Sequence, residues 1–280
     1  MRPAIVESSM QFPFPGWNEG FTTSAPLVFM GGSGVKGWPV RKDGPLEIIP
    51  VDLVAAGILI GLLTLKPQLG ILFPVMLIAS GRWRAFTSAA VTTLLIAGAT
   101  ALVFGPQVWV DFATKGLAAN NLVLADPERI ATPFYPTIYM NLRGLHLPYN
   151  AAMAVQLGVS AAALTIVAWV FRMRRDADPL MLMALFLACS VSAVPYMLSY
   201  DTLGLTFAAL LLLGAGSLGG AGRRFVQLVY WLPLIQMVFG NWHIPGAALI
   251  APAFAIYALM RLLASPTPAR DFEAISITAR

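Results

Sequence analysis

From Ala85 to Phe104, and again from Asn150 to Phe171, the chain runs a full membrane-helix length without one charged side chain. Such stretches match the ~20 residues that cross a bilayer core at ~1.5 Å rise per residue. Further apolar runs extend from Leu180 to Leu198, from about Thr202 to Leu218, from Phe225 to Phe239 and from Ile244 to Leu263. A backbone that crosses lipid must satisfy its own hydrogen bonds, so uninterrupted runs of this kind are helices. The expected fold class is all-α, a polytopic transmembrane helical protein. Composition supports this: 58% of residues are hydrophobic and 11% charged, with a mean hydropathy of +0.74, which excludes an ordinary soluble domain.

The net charge of +5 sits in short gaps between apolar runs and forms no nucleic-acid patch. If the spans alternate, Arg82 and Arg84, then Arg172, Arg174 and Arg175, then Arg223 and Arg224, then Arg261 share one side. By the positive-inside rule that side is cytoplasmic. The single cysteine, Cys189, excludes an intrachain disulfide, and two histidines with no Cys/His cluster give no reason to expect a metal.

One place breaks the pattern. Lys66-Pro67-Gln68 separates two apolar runs, Val51 to Thr64 and Leu69 to Ala79, each too short to cross a bilayer alone. Pro67 lacks an N–H, disfavours helix at the residue before it and suits the first turn of a new helix. The expectation is two short helices meeting below the membrane surface. A lysine at such a break needs a polar cavity, a nearby interface or an anionic partner. Counting these halves separately, the chain has about seven to eight membrane segments.

The remaining segments frame this core. Residues 1–50, rich in Gly and Pro, read as an irregular N-terminal segment with no spanning run. Residues 51–263 form the membrane domain, within which 105–149 reads as a long ordered extracytoplasmic loop with interfacial helices. Residues 264–280 read as a disordered cytoplasmic tail. The side opposite the arginines collects Lys66, the long loop, Tyr200-Asp201 and Asn241-Trp242-His243, so it is the expected working face.

Gly61-Leu62-Leu63-Thr64-Leu65-Lys66-Pro67-Gln68-Leu69-Gly70, followed by apolar residues and Arg82-Trp83-Arg84, resembles glycosyltransferase family 87. Ser199-Tyr200-Asp201 after a span is a second point of similarity. These are multi-spanning, mostly bacterial enzymes of the GT-C superfamily. The resemblance implies transfer of a mannosyl or related hexosyl unit from a polyprenyl-phosphate donor to a glycan or glycolipid acceptor. It places the reaction on the outer side of the bacterial cytoplasmic membrane, with no cofactor beyond the lipid-linked sugar substrate. The implied partners are membrane lipid, that donor and that acceptor.

By that resemblance Lys66 offsets the leaving phosphate's charge, Gln68 hydrogen-bonds phosphate or sugar, Arg143 is a second cation, and Tyr200 lies with them in the donor site. A carboxylate must also take the acceptor hydroxyl's proton. The family's aspartate is expected in a first extracytoplasmic loop after an N-terminal spanning helix, and Met1 to Pro50 carries neither. The reading is therefore of a shortened form, with Asp201, Asp111, Asp126 and Glu128 as substitute candidates for the base. Each residue has a plainer competing role: Lys66 snorkelling to the interface, Asp201 pairing with a loop cation, and Asp111, Asp126 and Glu128 solvated. His146 and His243 read as ordinary hydrogen-bonding side chains. Two other classes compete, a non-catalytic remnant or partner subunit and a secondary transporter. A transporter calls for paired broken spans in two related halves, whereas this sequence has one break and no internal repeat.

Overall fold

The computed structural model describes residues 28–30, 49–116, 122, 124–125, 136–174, 177–242 and 244–264. The expected C-terminal tail beyond residue 264 lies outside the described residues, as do most of residues 1–50, and Asp126, Glu128, Arg175 and His243. Among the described residues the only strands are two of three residues, β1 (Val28–Met30) and β2 (Ile49–Val51), paired parallel with Val28 opposite Ile49. Everything else regular is helical, as a polytopic helical membrane protein requires.

The first apolar run forms α1 (Leu53–Leu62), continued by a 3-10 turn over Leu63–Leu65. Lys66 then leaves helical geometry at φ −134°, and Pro67 opens the four-residue α2 (Pro67–Gly70). A further proline, Pro74, splits the second run and starts α3 (Phe73–Ala79). After Arg82 comes α4 (Trp83–Phe104), the first of three segments long and apolar enough to span a membrane.

Helices α1 and α4 run parallel. Small residues make this possible, because a Cβ on Gly57 would lie 2.7 Å from the Ser88 Cβ, and one on Gly61 would lie 2.8 Å from the Ala89 carbonyl oxygen. Ser88 donates to the Val54 carbonyl at 2.8 Å, and the Thr64 and Thr93 hydroxyls pair at 2.9 Å. That register fixes the depth of the break. Thr64 lies level with Thr93, 11 residues before the end of α4, so Lys66 sits roughly 15 Å short of the helix end at ~1.5 Å per residue. The two short helices therefore meet at mid-span.

Gln107–Asp111 forms α5, followed by a π-helical turn over Phe112–Gly116, and Ile138–Gly144 forms α6. The second long span is α7 (Tyr149–Met173). Next comes α8 (Pro179–Ser192), opened by Asp178, whose carboxylate accepts from the Leu180 N–H at 3.0 Å. Eleven of its 14 residues are buried, so this helix is the core. It packs against α2, α7, α9 (Leu203–Gly214) and α12 (Ile250–Ala264). The Phe186 ring meets Phe73 of α3 at 4.7 Å and Phe171 of α7 at 6.0 Å, both edge-on. With a 3-10 turn over Ala247–Leu249, α12 makes the third long span.

Two expected spans differ from the observed ones. The run from Leu180 to Leu198 stops being helical at Ser192, because Pro195 disfavours helix at Val194. The run from Phe225 to Phe239 is not one span but the end of α10 (Gly220–Tyr230) and most of α11 (Leu232–Asn241), broken at Trp231 ahead of Pro233. The first of these is strongly amphipathic, with Arg223 and Arg224 exposed and Val226 and Val229 buried.

Candidate functional site

The break in the first pair of helices meets the break after α8. Ser199–Thr202 forms a 3-10 turn leading into α9. Thr202 is buried and anchors the turn by donating to the Ser199 carbonyl at 2.6 Å. Asp201 reaches back so that Oδ2 accepts from the Leu198 N–H at 3.4 Å. Its other oxygen, Oδ1, takes a hydrogen bond from Lys66 Nζ at 2.7 Å, and the Lys66 ammonium lies 4.2 Å from the centre of the Tyr200 ring. Three of the residues expected at the site thus converge from positions 135 apart in sequence.

The pair is lopsided, and that decides its chemistry. Asp201's side chain is 4% exposed, whereas that of Lys66 is 42% exposed. An ammonium carries three donors and no acceptor, so Lys66 keeps protons for a second anion after satisfying Asp201. Both carboxylate oxygens of Asp201 are already accepting. Charge at this depth persists because it is paired, and the free valence of the pair points outward. Tyr200 is 56% exposed and holds its ring against the same cation, leaving an aromatic wall and a phenolic hydroxyl beside the ammonium.

The other expected residues are placed differently. Gln68 is half-buried on α2, two residues past Lys66, and makes no hydrogen bond to a described residue. Arg143 is buried on α6, where Nη1 donates to the Leu147 carbonyl at 2.6 Å and Nη2 to the Ala125 carbonyl at 2.8 Å. Among the described residues its partners hold its own loop together, and none belongs to the Lys66 cluster. Asp111 is a half-buried residue of α5, paired with Lys115 at 2.9 Å and accepting from Gln107 at 3.4 Å. No three His, Cys, Asp or Glu side chains converge among the described residues.

A second network, unseen in the sequence, holds the loop side in place. Gln156 of α7 is 1% exposed; its Oε1 accepts from the Tyr139 N–H at 3.1 Å and its Nε2 donates to the Ser192 carbonyl at 2.9 Å. Thr137 donates to the Pro195 carbonyl at 2.9 Å, and Ser160 to that of Ala193. These bonds satisfy the carbonyls released where α8 ends. They also pin α6 against the segment that leads to Tyr200 and Asp201. Tyr139 donates to the Leu124 carbonyl at 2.7 Å, and burial pushes its phenol above the usual range while the nearby Arg143 charge acts the other way. Glutamine in an apolar run signals such a brace, but its partners are remote in sequence.

Comparison with known proteins gives short and long similarities of different weight. A 55-residue stretch is 40% identical to fatty acyl-CoA reductase 2, chloroplastic, from Arabidopsis thaliana, covering 19% of this chain and 9% of that protein. A 56-residue stretch is 39% identical to probable fatty acyl-CoA reductase 5 of the same plant, covering 20% and 11%. The chain thus spans only about a tenth of these curated relatives, too little to carry an activity across. No solved structure matches. The family model of glycosyltransferase family 87 matches residues 23–199, well over half of the chain, from the N-terminal segment past the Lys66 break to the threshold of Tyr200-Asp201, and the chain belongs to that family of membrane glycosyltransferases.

Proposed function

We propose that the chain takes part in transfer of a mannosyl or related hexosyl unit from a polyprenyl-phosphate donor to a glycan or glycolipid acceptor. The setting proposed is the bacterial cytoplasmic membrane, with the working face extracytoplasmic. The observation that carries this reading is the outward-facing Lys66 ammonium, held on buried Asp201 at a mid-span helix break. A phosphate whose sugar bond is breaking gains negative charge, and a fixed cation in a water-poor site stabilises that charge most. Asp201 is the positioning residue, since both of its oxygens are engaged in holding Lys66 and the turn. Tyr200 offers a face for the sugar beside the cation, and Gln68 has its amide available for phosphate or sugar. The base for the acceptor hydroxyl is then sought in the long loop, where Asp126 and Glu128 lie outside the described residues.

The test is titration of the purified protein in nanodiscs with a short-chain polyprenyl-phosphate mannose, alongside mannosyl transfer to membrane acceptors. Lys66→Ala should lower transfer by about 10²- to 10³-fold, as loss of one preorganised charge stabiliser does elsewhere, and weaken donor binding with it. Binding that depends on Lys66 without any transfer would assign the chain a donor-holding role in a larger enzyme. Wild-type protein that binds no donor would overturn the reading.

A further inference from the structure

The parallel pair of α1 and α4 leaves an open groove of about 530 Å³ on its other flank, lined by Val54 and Ile58 of α1 and by Thr87, Val91 and Leu95 of α4, with Arg84 at one end. Its hydroxyl groups are already used. Thr87 donates to the Trp83 carbonyl at 3.0 Å, Ser88 to that of Val54 at 2.8 Å, and Thr92 to that of Ser88 at 2.9 Å. A ligand lying along the groove therefore meets an apolar wall that asks for no hydrogen bond.

The end of the groove is different. Arg84's side chain is 71% exposed, and its ion pair with Asp52 is long, at 3.8 Å, with that carboxylate 61% exposed. Such a pair is weak, leaving most of the guanidinium's five donors for an anion. Trp83 beside it is 57% exposed and stands edge-on to Phe86, in the manner of a headgroup-level anchor. From Arg84 to Leu95 the groove follows 11 residues of α4, or ~16 Å, about half of a ~30 Å hydrocarbon core. A cation at headgroup level and an apolar channel one leaflet deep are complementary to one kind of molecule.

We infer that this groove holds one anionic phospholipid of the leaflet on the arginine-rich side, its phosphate on Arg84 and one acyl chain along α1 and α4. The inference does not rest on the donor site: Lys66 lies about level with Thr93, toward the deep end of the groove, whereas Arg84 stands nine residues of α4 earlier, at its other end. A packed helix or a second copy would bury Arg84 against apolar surface, whereas a phosphate satisfies it.

The experiment reconstitutes the full chain in nanodiscs of mixed phosphatidylcholine and phosphatidylglycerol, releases it, and reads retained lipid by native mass spectrometry. One phosphatidylglycerol should be retained in preference to phosphatidylcholine. Arg84→Gln should lower that retention about fivefold, the worth of one basic residue at a lipid surface, and Arg84→Lys should restore most of it. Val91→Trp, which fills the groove and leaves Arg84 in place, should remove the bound lipid, and Arg172→Gln on α7 should change nothing. Equal retention of both lipids, or retention indifferent to Arg84→Gln and Val91→Trp, would overturn the inference. So would a dimer whose Val91→Cys variant cross-links across the groove.

Discussion

Lys66 and Asp201 divide one ion pair unequally between protein and surroundings, and the inequality assigns their roles. Asp201→Asn keeps the side chain's shape and a hydrogen-bonding oxygen but removes the charge that fixes the ammonium. Transfer, measured as kcat/KM, is expected to fall by about 10- to 100-fold, less than for Lys66→Ala. The double variant should be no worse than Lys66→Ala alone, because two residues acting as one unit are not additive. Additive losses would mean that Asp201 acts on its own account, as a base. Tyr200 is separable in the same way. Tyr200→Phe keeps the ring face and should bind donor within about twofold of wild type, while Tyr200→Leu should lose about 3- to 10-fold in a titration. Each of these residues was legible singly, Lys66 from a charge at a helix break and Tyr200-Asp201 from polar residues ending an apolar run. Their union was not, since no local rule links side chains 135 positions apart.

At the scale of elements, proline carried most of what could be read. Pro67 marked the first break, and the structure places it where α2 begins. Pro74, Pro195 and Pro233 act by the same rule, yet the runs around them read as continuous because hydropathy averages over one imidic residue. Glycine carried what could not be read. Gly57 and Gly61 look like ordinary members of an apolar run, but they set the distance between α1 and α4, and so the depth at which Lys66 is presented. Gly57→Val should push the two helices apart and lower stability by about 1–3 kcal/mol in thermal or denaturant unfolding in detergent. Gly98→Ala, in open space on α4, should be neutral or slightly stabilising, as glycine in a helix interior costs about 1 kcal/mol relative to alanine. Equal effects at the two positions would deny the close approach its role.

For the whole molecule, the arrangement depends on α8 as a buried axle with both polar breaks brought to one end. Lys66 bonded to Asp201 puts the first helix break and the end of the α8 segment at one level, as alternation of the spans requires. Arg84 beside Asp52 marks the other end of the same α1–α4 pair. In the proposed orientation the arginine-rich end is the cytoplasmic one, in keeping with the positive-inside rule, since Arg82, Arg84, Arg172, Arg174, Arg223 and Arg224 lie in the gaps between apolar runs. The single native cysteine makes that orientation measurable. Cys189 is 1% exposed within α8, so a membrane-impermeant maleimide should leave the wild-type chain unlabelled in intact cells. Trp242 and Trp83 are 66% and 57% exposed near opposite ends of their helices. Trp242→Cys should label from outside intact cells, and Trp83→Cys only after the membrane is permeabilised. The reverse pattern would turn the Lys66 site toward the cytoplasm. A donor displayed on the outer leaflet would then be out of reach, and the proposed extracytoplasmic transfer would fail on topology even with its cation in place.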